Sequence, residues 1–235
     1  MKVSGSVALV TGANRGIGRQ FARLLLERGA SKVYATARNP EAIDVPGVQA
    51  LRLDITDPAS IAAAASVATD VDLLVNNAGI STHTNLVTGD LDTIRLEMET
   101  HFYGTLGMIR AFAPVLAGNG GGAIVNMLSA VSWFSHDGDN AYGAAKAAEW
   151  SLTNGVRLEL AKQKTLVTGV HLGLADTDMV ADFDGPKTDP ADVVRAVLDG
   201  VEAGKLEVLV DDWSAHVKAS LARDPFEFYG PSLSN

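Results

Sequence analysis

The sequence contains no cysteine, which removes disulfides, thiolate nucleophiles and zinc–thiolate centres from the available chemistry. A thiol-free chain fits a reducing compartment, and a cytoplasmic protein is expected. There is no run of about 18 apolar residues, the length a membrane-spanning helix needs. Met1 to Gly12 lacks the long apolar stretch and small-residue cleavage site of a signal peptide and reads as a first strand. Positive charge is scarce: 19 Lys and Arg against 28 Asp and Glu leave a formal net charge of −9. Neither nucleic acid nor an anionic membrane is therefore expected as a partner. His83, His171 and His216 fall at no ligand-like spacing, so no metal site is expected.

What remains is globular in composition, 47% apolar and 20% charged, and 235 residues suffice for one sizeable core. Short apolar runs at 7–10, 32–36, 48–51, 72–75, 123–127, 166–171 and 206–210 read as buried strands. Helical patterns lie between most of them. Residues 16–28 place Ile17, Phe21, Leu24 and Leu25 on one face, with Arg19, Arg23 and Glu27 outside. Asp57 caps and Pro58 opens another helix, and 91–116 and 141–161 form two long ones. This alternation predicts a single α/β domain over 1–235, a doubly wound parallel sheet of about seven strands. No repeat or linker divides the chain. Residues 118–122 read as a Gly-rich turn, and 179–190, with Gly185, Pro186 and Pro190, as a lid over a ligand crevice.

The segment Thr11-Gly12-Ala13-Asn14-Arg15-Gly16-Ile17-Gly18 joins the first strand to the first helix. Glycines there let backbone N–H groups approach a pyrophosphate at the positive end of a helix. A tight turn with no ligand uses the same glycines, so the motif alone leaves both readings open. NAD sites place an acid at the tip of the second strand, whereas NADP sites place a cation. The strand here runs Tyr34-Ala35-Thr36-Ala37-Arg38. Arg38 can fork onto a 2′-phosphate, and Arg15 reaches from the glycine turn. NADP(H) is therefore expected in preference to NAD(H), unless both arginines are ordinary surface residues.

Tyr142 and Lys146 are four residues apart at the start of a helical pattern and share its face. A neighbouring ammonium favours the phenolate and brings a phenol pKa of about 10 toward the working range. Ser129, at the carboxyl end of the fifth strand, is placed to hydrogen-bond a substrate oxygen. A Tyr-x-x-x-Lys pair alone is common. Its combination with Ser129 and the glycine turn is not.

Together these motifs resemble the short-chain dehydrogenase/reductase family in its short form, over essentially the whole chain. The matching pieces are Thr11 to Gly18, Asp54, Asn76-Asn77-Ala78-Gly79, Ser129, Tyr142 with Lys146, and Gly173 with Thr177. The resemblance implies Tyr142 as general acid/base, Lys146 as cofactor ribose ligand and Ser129 as oxyanion partner. It implies Asp54 and Ile55 near adenine, Asn77, Ala78 and Gly79 along the cofactor, Gly173 and Thr177 at the nicotinamide, and a homotetramer or homodimer built on the long helices. Two positions depart from the family. His101 stands where Asn is usual; a backbone role survives the change, and the side chain either relays protons or merely packs. Leu172-Gly173 replaces the usual Pro-Gly, which predicts a looser nicotinamide wall.

Trp133, Phe134, His136, Leu174, Val180 and Phe183 fall near the expected crevice and suggest a hydrophobic ketone, aldehyde or secondary alcohol as substrate. Trp213, Phe226, Phe228 and Tyr229 are candidates for packing on a partner subunit. The expected activity is hydride transfer between NADP(H) and a carbonyl/alcohol pair. The alternative is a non-catalytic NADP-binding regulator, which would have no need of Ser129, Tyr142 and Lys146 together.

Overall fold

A computed structural model describes residues 1–233. Seven strands form one parallel sheet in the order β3-β2-β1-β4-β5-β6-β7: β1 Val7–Val10, β2 Lys32–Ala37, β3 Gln49–Arg52, β4 Leu73–Asn76, β5 Gly122–Met127, β6 Thr165–His171 and β7 Glu207–Leu209. Among the described residues eight α-helices accompany it: α1 Gly16–Glu27, α2 Pro58–Val67, α3 Leu91–Met98, α4 Thr105–Gly118, α5 Asn140–Leu160, α6 Pro190–Glu202, α7 Asp212–Ser220 and α8 Pro225–Leu233. Every expected strand is present within a residue or two.

Because successive strand side chains alternate faces, one strand feeds two cores. Val10, Val33, Val75, Val125 and Val170 pack with Phe21 and Leu25 of α1 and Val194 and Val197 of α6. Leu9, Leu74 and Ile124 face the other way, onto Met108, Phe112 and Leu116 of α4 and Leu152 of α5. Asp57 caps α2 by accepting from the Ala59 N–H at 2.9 Å. On α1, Arg23 and Glu27 pair at 2.8 Å on the solvent face, as its pattern predicts.

Two expectations change. The run at 48–51 is not a buried strand: β3 pairs with β2 alone, at the sheet's edge, and Gln49, Ala50 and Arg52 are exposed. The helix expected over 91–116 is interrupted by a π-helical turn, Glu99–Gly104, between α3 and α4. Such a turn inserts a residue and rotates the side chains that follow, and here it carries His101.

Trp133 also departs from expectation. It turns away from the crevice and stacks on His171, with ring centroids 3.6 Å apart. His171 is fully buried; its Nδ1–H donates to the Ser129 carbonyl at 3.0 Å, and Nε2 has no hydrogen-bond partner among the described residues. Burial, assisted by the nearby Lys218 and Lys146, pushes its pKa down to about 4.

The unfolded chain therefore takes up a proton at this residue near pH 6.5, while the folded protein refuses it until about pH 4. Stability present above pH 6.5 is lost as the pH falls through that window. Denaturant titrations should show a loss of about 2 kcal/mol between pH 7 and pH 5 from this group. His171→Gln should remove that increment, and equal pH dependence in the two proteins would refute it.

Candidate active site

The sheet order reverses between β1 and β4, and a crevice of about 1220 Å³ opens there along the carboxyl ends of the strands. Its first wall is the turn into α1. The Thr11 hydroxyl accepts from the Asn77 and Ala78 N–H groups, both at 2.9 Å. The Asn77 amide donates back to the Thr11 and Gly12 carbonyls at 2.9 and 3.3 Å. Gly12 and Gly16 have φ of +67° and +53°. A Cβ at Gly12 would meet the Ala78 backbone at 2.9 Å, and one at Gly18 would sit 2.1 Å from the Gly12 carbonyl oxygen. Side chains are thus excluded at Gly12 and Gly18, and no side chain caps the start of α1. A crevice of this volume beside an uncapped helix N-terminus fits a dinucleotide.

Gly12, Asn14, Arg15, Gly16, Ile17, Gly18, Arg38, Asp54, Ile55, Asn77, Ala78, Gly79, Gly173 and Thr177 all line this crevice. Arg15 and Arg38 are exposed. Arg15 Nη1 lies 3.7 Å from Asp178 of the opposite rim. Asp54 accepts from the Thr56 hydroxyl and N–H at 2.7 and 3.0 Å, and these bonds, helped by Arg38 and Arg52, hold its pKa below the usual value. The absence of proline leaves the wall at Leu172-Gly173 pinned all the same: Leu172 is buried, and the Gly173 N–H donates to Asp211 at 2.6 Å.

The second wall holds Ser129, Tyr142, Lys146 and His101. Ser129 follows β5 and caps a short 3-10 turn, its hydroxyl accepting from the Val131 N–H at 3.3 Å. Tyr142 lies on the first turn of α5, and Lys146 one turn later sits 5.7 Å from its ring centroid. The Lys146 ammonium donates to the Met127 carbonyl at 2.7 Å and to Glu149 at 2.8 Å. The His101 ring meets Tyr142 edge-on, with centroids 5.2 Å apart. His101 Nε2 lies 2.9 Å from the Ile80 carbonyl and 3.2 Å from Glu97.

Lys146 lowers the Tyr142 pKa as the spacing predicts, but it does not prevail. Burial raises the phenol, and Glu149, Asp139 and Glu97 raise it further, so the net position is above the ordinary value. Burial opposes the charged form of Lys146 too; Glu149 and Tyr142 outweigh it and leave the ammonium more firmly protonated than usual. Glu97 and Glu149 were not identified from the sequence, although their spacing to His101 (i, i+4) and Lys146 (i, i+3) was a usable signal. Carboxylates at such spacing usually lie in water. Here they are 0% and 2% exposed.

At the substrate end, Phe134, His136, Leu174, Val180 and Phe183 line the crevice as expected. Trp213 joins them, packing edge-on against Phe134 at 5.7 Å. Phe228 contacts both rings, and the Tyr229 hydroxyl accepts from the Ser135 N–H at 3.0 Å. Much of the aromatic tail expected at a subunit interface thus folds back over the chain's own site, with Phe226 left exposed. The segment 179–190, expected as a lid, begins within a short turn, Asp178–Val180, and contributes Met179, Val180, Phe183 to Lys187 and Thr188 to the crevice; it is tied by a bridge between Ala175 and Thr188. Among the described residues no cluster of metal-ligating side chains occurs, and no helix is long and apolar enough to span a membrane.

The short chain dehydrogenase profile matches residues 6–187. A short chain dehydrogenase from Burkholderia cenocepacia, solved in complex with NADP, superposes over the whole of both chains with a TM-score of 0.95 and 39% identity. One from Streptomyces avermitilis superposes over 99% of this chain and 100% of its own with a TM-score of 0.84 and 26% identity. A 3-oxoacyl-[acyl-carrier-protein] reductase, FabG, of Vibrio cholerae is 33% identical across 88% of this chain and 86% of its own length. The fold, the crevice at the sheet's switch point and these similarities agree: the chain belongs to the short chain dehydrogenase family and is an oxidoreductase acting on CH–OH and C=O groups.

Proposed function

We propose that the protein is an NADP(H)-dependent carbonyl reductase acting on a hydrophobic ketone or aldehyde, with the corresponding secondary or primary alcohol as product. The observation that carries this reading is the convergence of Tyr142, Lys146 and Ser129 on the same crevice that the glycine turn lines. The bound nicotinamide supplies the hydride.

Asn14 to Gly18 would hold the pyrophosphate by backbone N–H groups, and Arg15 and Arg38 the 2′-phosphate. Asp54 and Ile55 would flank adenine, Asn77 to Gly79 would run beside the cofactor, Lys146 would hold the ribose, and Gly173 and Thr177 would face the carboxamide. Ser129 donates a hydrogen bond to the substrate oxygen and steadies the charge developing there. Tyr142 gives that oxygen its proton. His101, edge-on to Tyr142 and in contact with the Glu97 carboxylate, is placed to pass protons as well as to pack.

The crevice lining carries Asp54, Asp139, Asp178, Asp184 and Asp211 against Arg15, Arg38, Lys146 and Lys187, and the chain as a whole has a net charge of −9. That field repels an acidic carrier protein, so a free small molecule is the proposed substrate rather than the carrier-bound one named for the Vibrio cholerae relative. Exposed Leu91 and Leu96 on α3, Tyr103, and Leu158 on α5 support a homo-oligomer joined through these helices, dimer or tetramer. A cytoplasmic setting suits the NADP(H) couple and the cysteine-free chain.

A panel of free hydrophobic ketones and aldehydes with NADPH should give cofactor oxidation, and Tyr142→Phe should lower kcat by about 10²–10⁴-fold. Tight NADPH binding without turnover on any carbonyl would overturn the enzymatic reading in favour of a redox-reporting regulator. For the cofactor, Arg38→Ala should raise the Kd for NADPH by roughly tenfold to a hundredfold, the worth of one or two charge-assisted hydrogen bonds, and leave NADH nearly unchanged. Equal weakening of both cofactors would remove Arg38 from the 2′-phosphate site.

A further inference from the structure

Behind the crevice lies a buried cluster that the proposed chemistry does not itself require. Glu149, on α5, receives Lys146 Nζ on Oε2 at 2.8 Å and the Thr105 hydroxyl on its other oxygen at 2.9 Å. Glu97, on α3, accepts the Thr82 N–H at 2.7 Å on Oε1. Its Oε2 faces His101 Nε2 at 3.2 Å and has no hydrogen-bond partner among the described residues. His101 Nδ1 is likewise without one and lies 3.9 Å from Glu149 Oε2. A Cβ on Gly79 would meet the His101 ring at 2.6 Å, so the glycine makes room for the imidazole between the two carboxylates.

Two carboxylates, one ammonium and one imidazole are thus enclosed together, and neither carboxylate lines the crevice. Burying acids is costly unless they are paired, and a merely structural pair for Lys146 would need one acid, not two. Other groups facing Tyr142 and Lys146 complete the account. Asp139, just ahead of α5, is buried, accepts from Ser81 at 2.9 Å and lies 3.8 Å from His83. His136 also acts on Asp139. On the β6 side, His171 is the titratable group that senses Lys146. Close to the phenol, acids outnumber the one ammonium.

We propose that Glu149 is a positioning residue: it clamps the Lys146 ammonium from behind the crevice and, with Glu97 on the other side of His101, offsets the positive charge that Lys146 presents to Tyr142. The inference rests on the reading of Tyr142 as the general acid. In carbonyl reduction the O–H bond of Tyr142 breaks as a new O–H bond forms on the substrate oxygen, which receives the proton while its carbon receives the hydride. This is possible only while the phenol is protonated. Burial, the largest cause of the raised Tyr142 pKa, opposes its ionisation, and negative charge nearby acts in the same direction. Reduction should therefore persist to higher pH than the Tyr–Lys pair alone would allow, and alcohol oxidation, which needs the phenolate, should begin at higher pH. The equilibrium constant is untouched; only the pH span of each direction moves.

The test is the pH dependence of kcat in both directions, using the ketone–alcohol pair that the substrate panel identifies, for wild type, Glu149→Gln and Glu97→Gln. Glu149→Gln should move the alkaline limb of reduction and the acid limb of oxidation down together by about one pH unit. Glu97→Gln leaves the Lys146 pair intact and should move both limbs the same way by less. A variant with the wild-type circular dichroism spectrum decides the matter even if the other misfolds. A uniform loss of kcat at every pH with the limbs in place would make the cluster structural and overturn the proposal. Were Tyr142→Phe to retain full activity, the reading of Tyr142 would fall first, a result distinct from unmoved limbs.

Discussion

Where a doubly wound sheet reverses direction, the connections leave to opposite sides and the ends of two neighbouring strands lose their cover. At the ends of β1 and β4 the bared polar groups satisfy one another: one hydroxyl, Thr11, accepts two N–H groups, and one amide, Asn77, donates to two carbonyls. The tie holds the strand ends in register and pulls Gly12 against Ala78 closely enough that no side chain fits. The crevice, its uncapped helix N-terminus and the approach to Asn77–Gly79 all depend on this contact. Buried polar groups that are fully partnered specify one arrangement, and this pair is partnered on both sides.

The opposite wall works under a different constraint. Lys146 is buried, and a buried ammonium needs both a counter-charge and filled donors. Glu149 and the Met127 carbonyl supply them, from the ammonium's own helix and from the end of β5. The result ties α5 to the sheet beside Ser129. It also means that the ammonium beside Tyr142 is itself paired with a carboxylate, and burial, the largest influence on the phenol, leaves its pKa raised where the Tyr–Lys spacing alone suggests lowering. The π-helical turn brings His101 into the same enclosure, and Gly79 on the facing strand end makes space for it. The two walls thus meet through a glycine whose lack of a side chain serves an imidazole.

The roof of the substrate end shows how aromatic residues can exchange places. Trp133 stacks inward on His171, while Trp213, far along the chain, lines the crevice through Phe134. Both outcomes come from packing. His171 offers a flat, buried, neutral ring behind Ser129, and α7 and α8 return the tail to cover Phe134.

Local physics carried much of this protein into view from its sequence. Alternating apolar runs and amphipathic patterns located the seven strands, and Asp57-Pro58 marked a helix start because capping acts within three residues. The glycine turn, Ser129 and the Tyr142–Lys146 pair were legible because each needs particular residues at a fixed spacing beside a strand or helix end. Other features depend on which surfaces meet. Position in the sheet decided that β3 would be a solvent-facing edge, since 48–51 reads like any buried run. Helix–helix packing decided that Glu97 and Glu149 would be dry, since glutamates three or four residues from a basic partner ordinarily sit in water. Sequence spacing records which side chains share a face; only the folded chain determines whether that face meets water or another helix, and so what charge the catalytic groups feel.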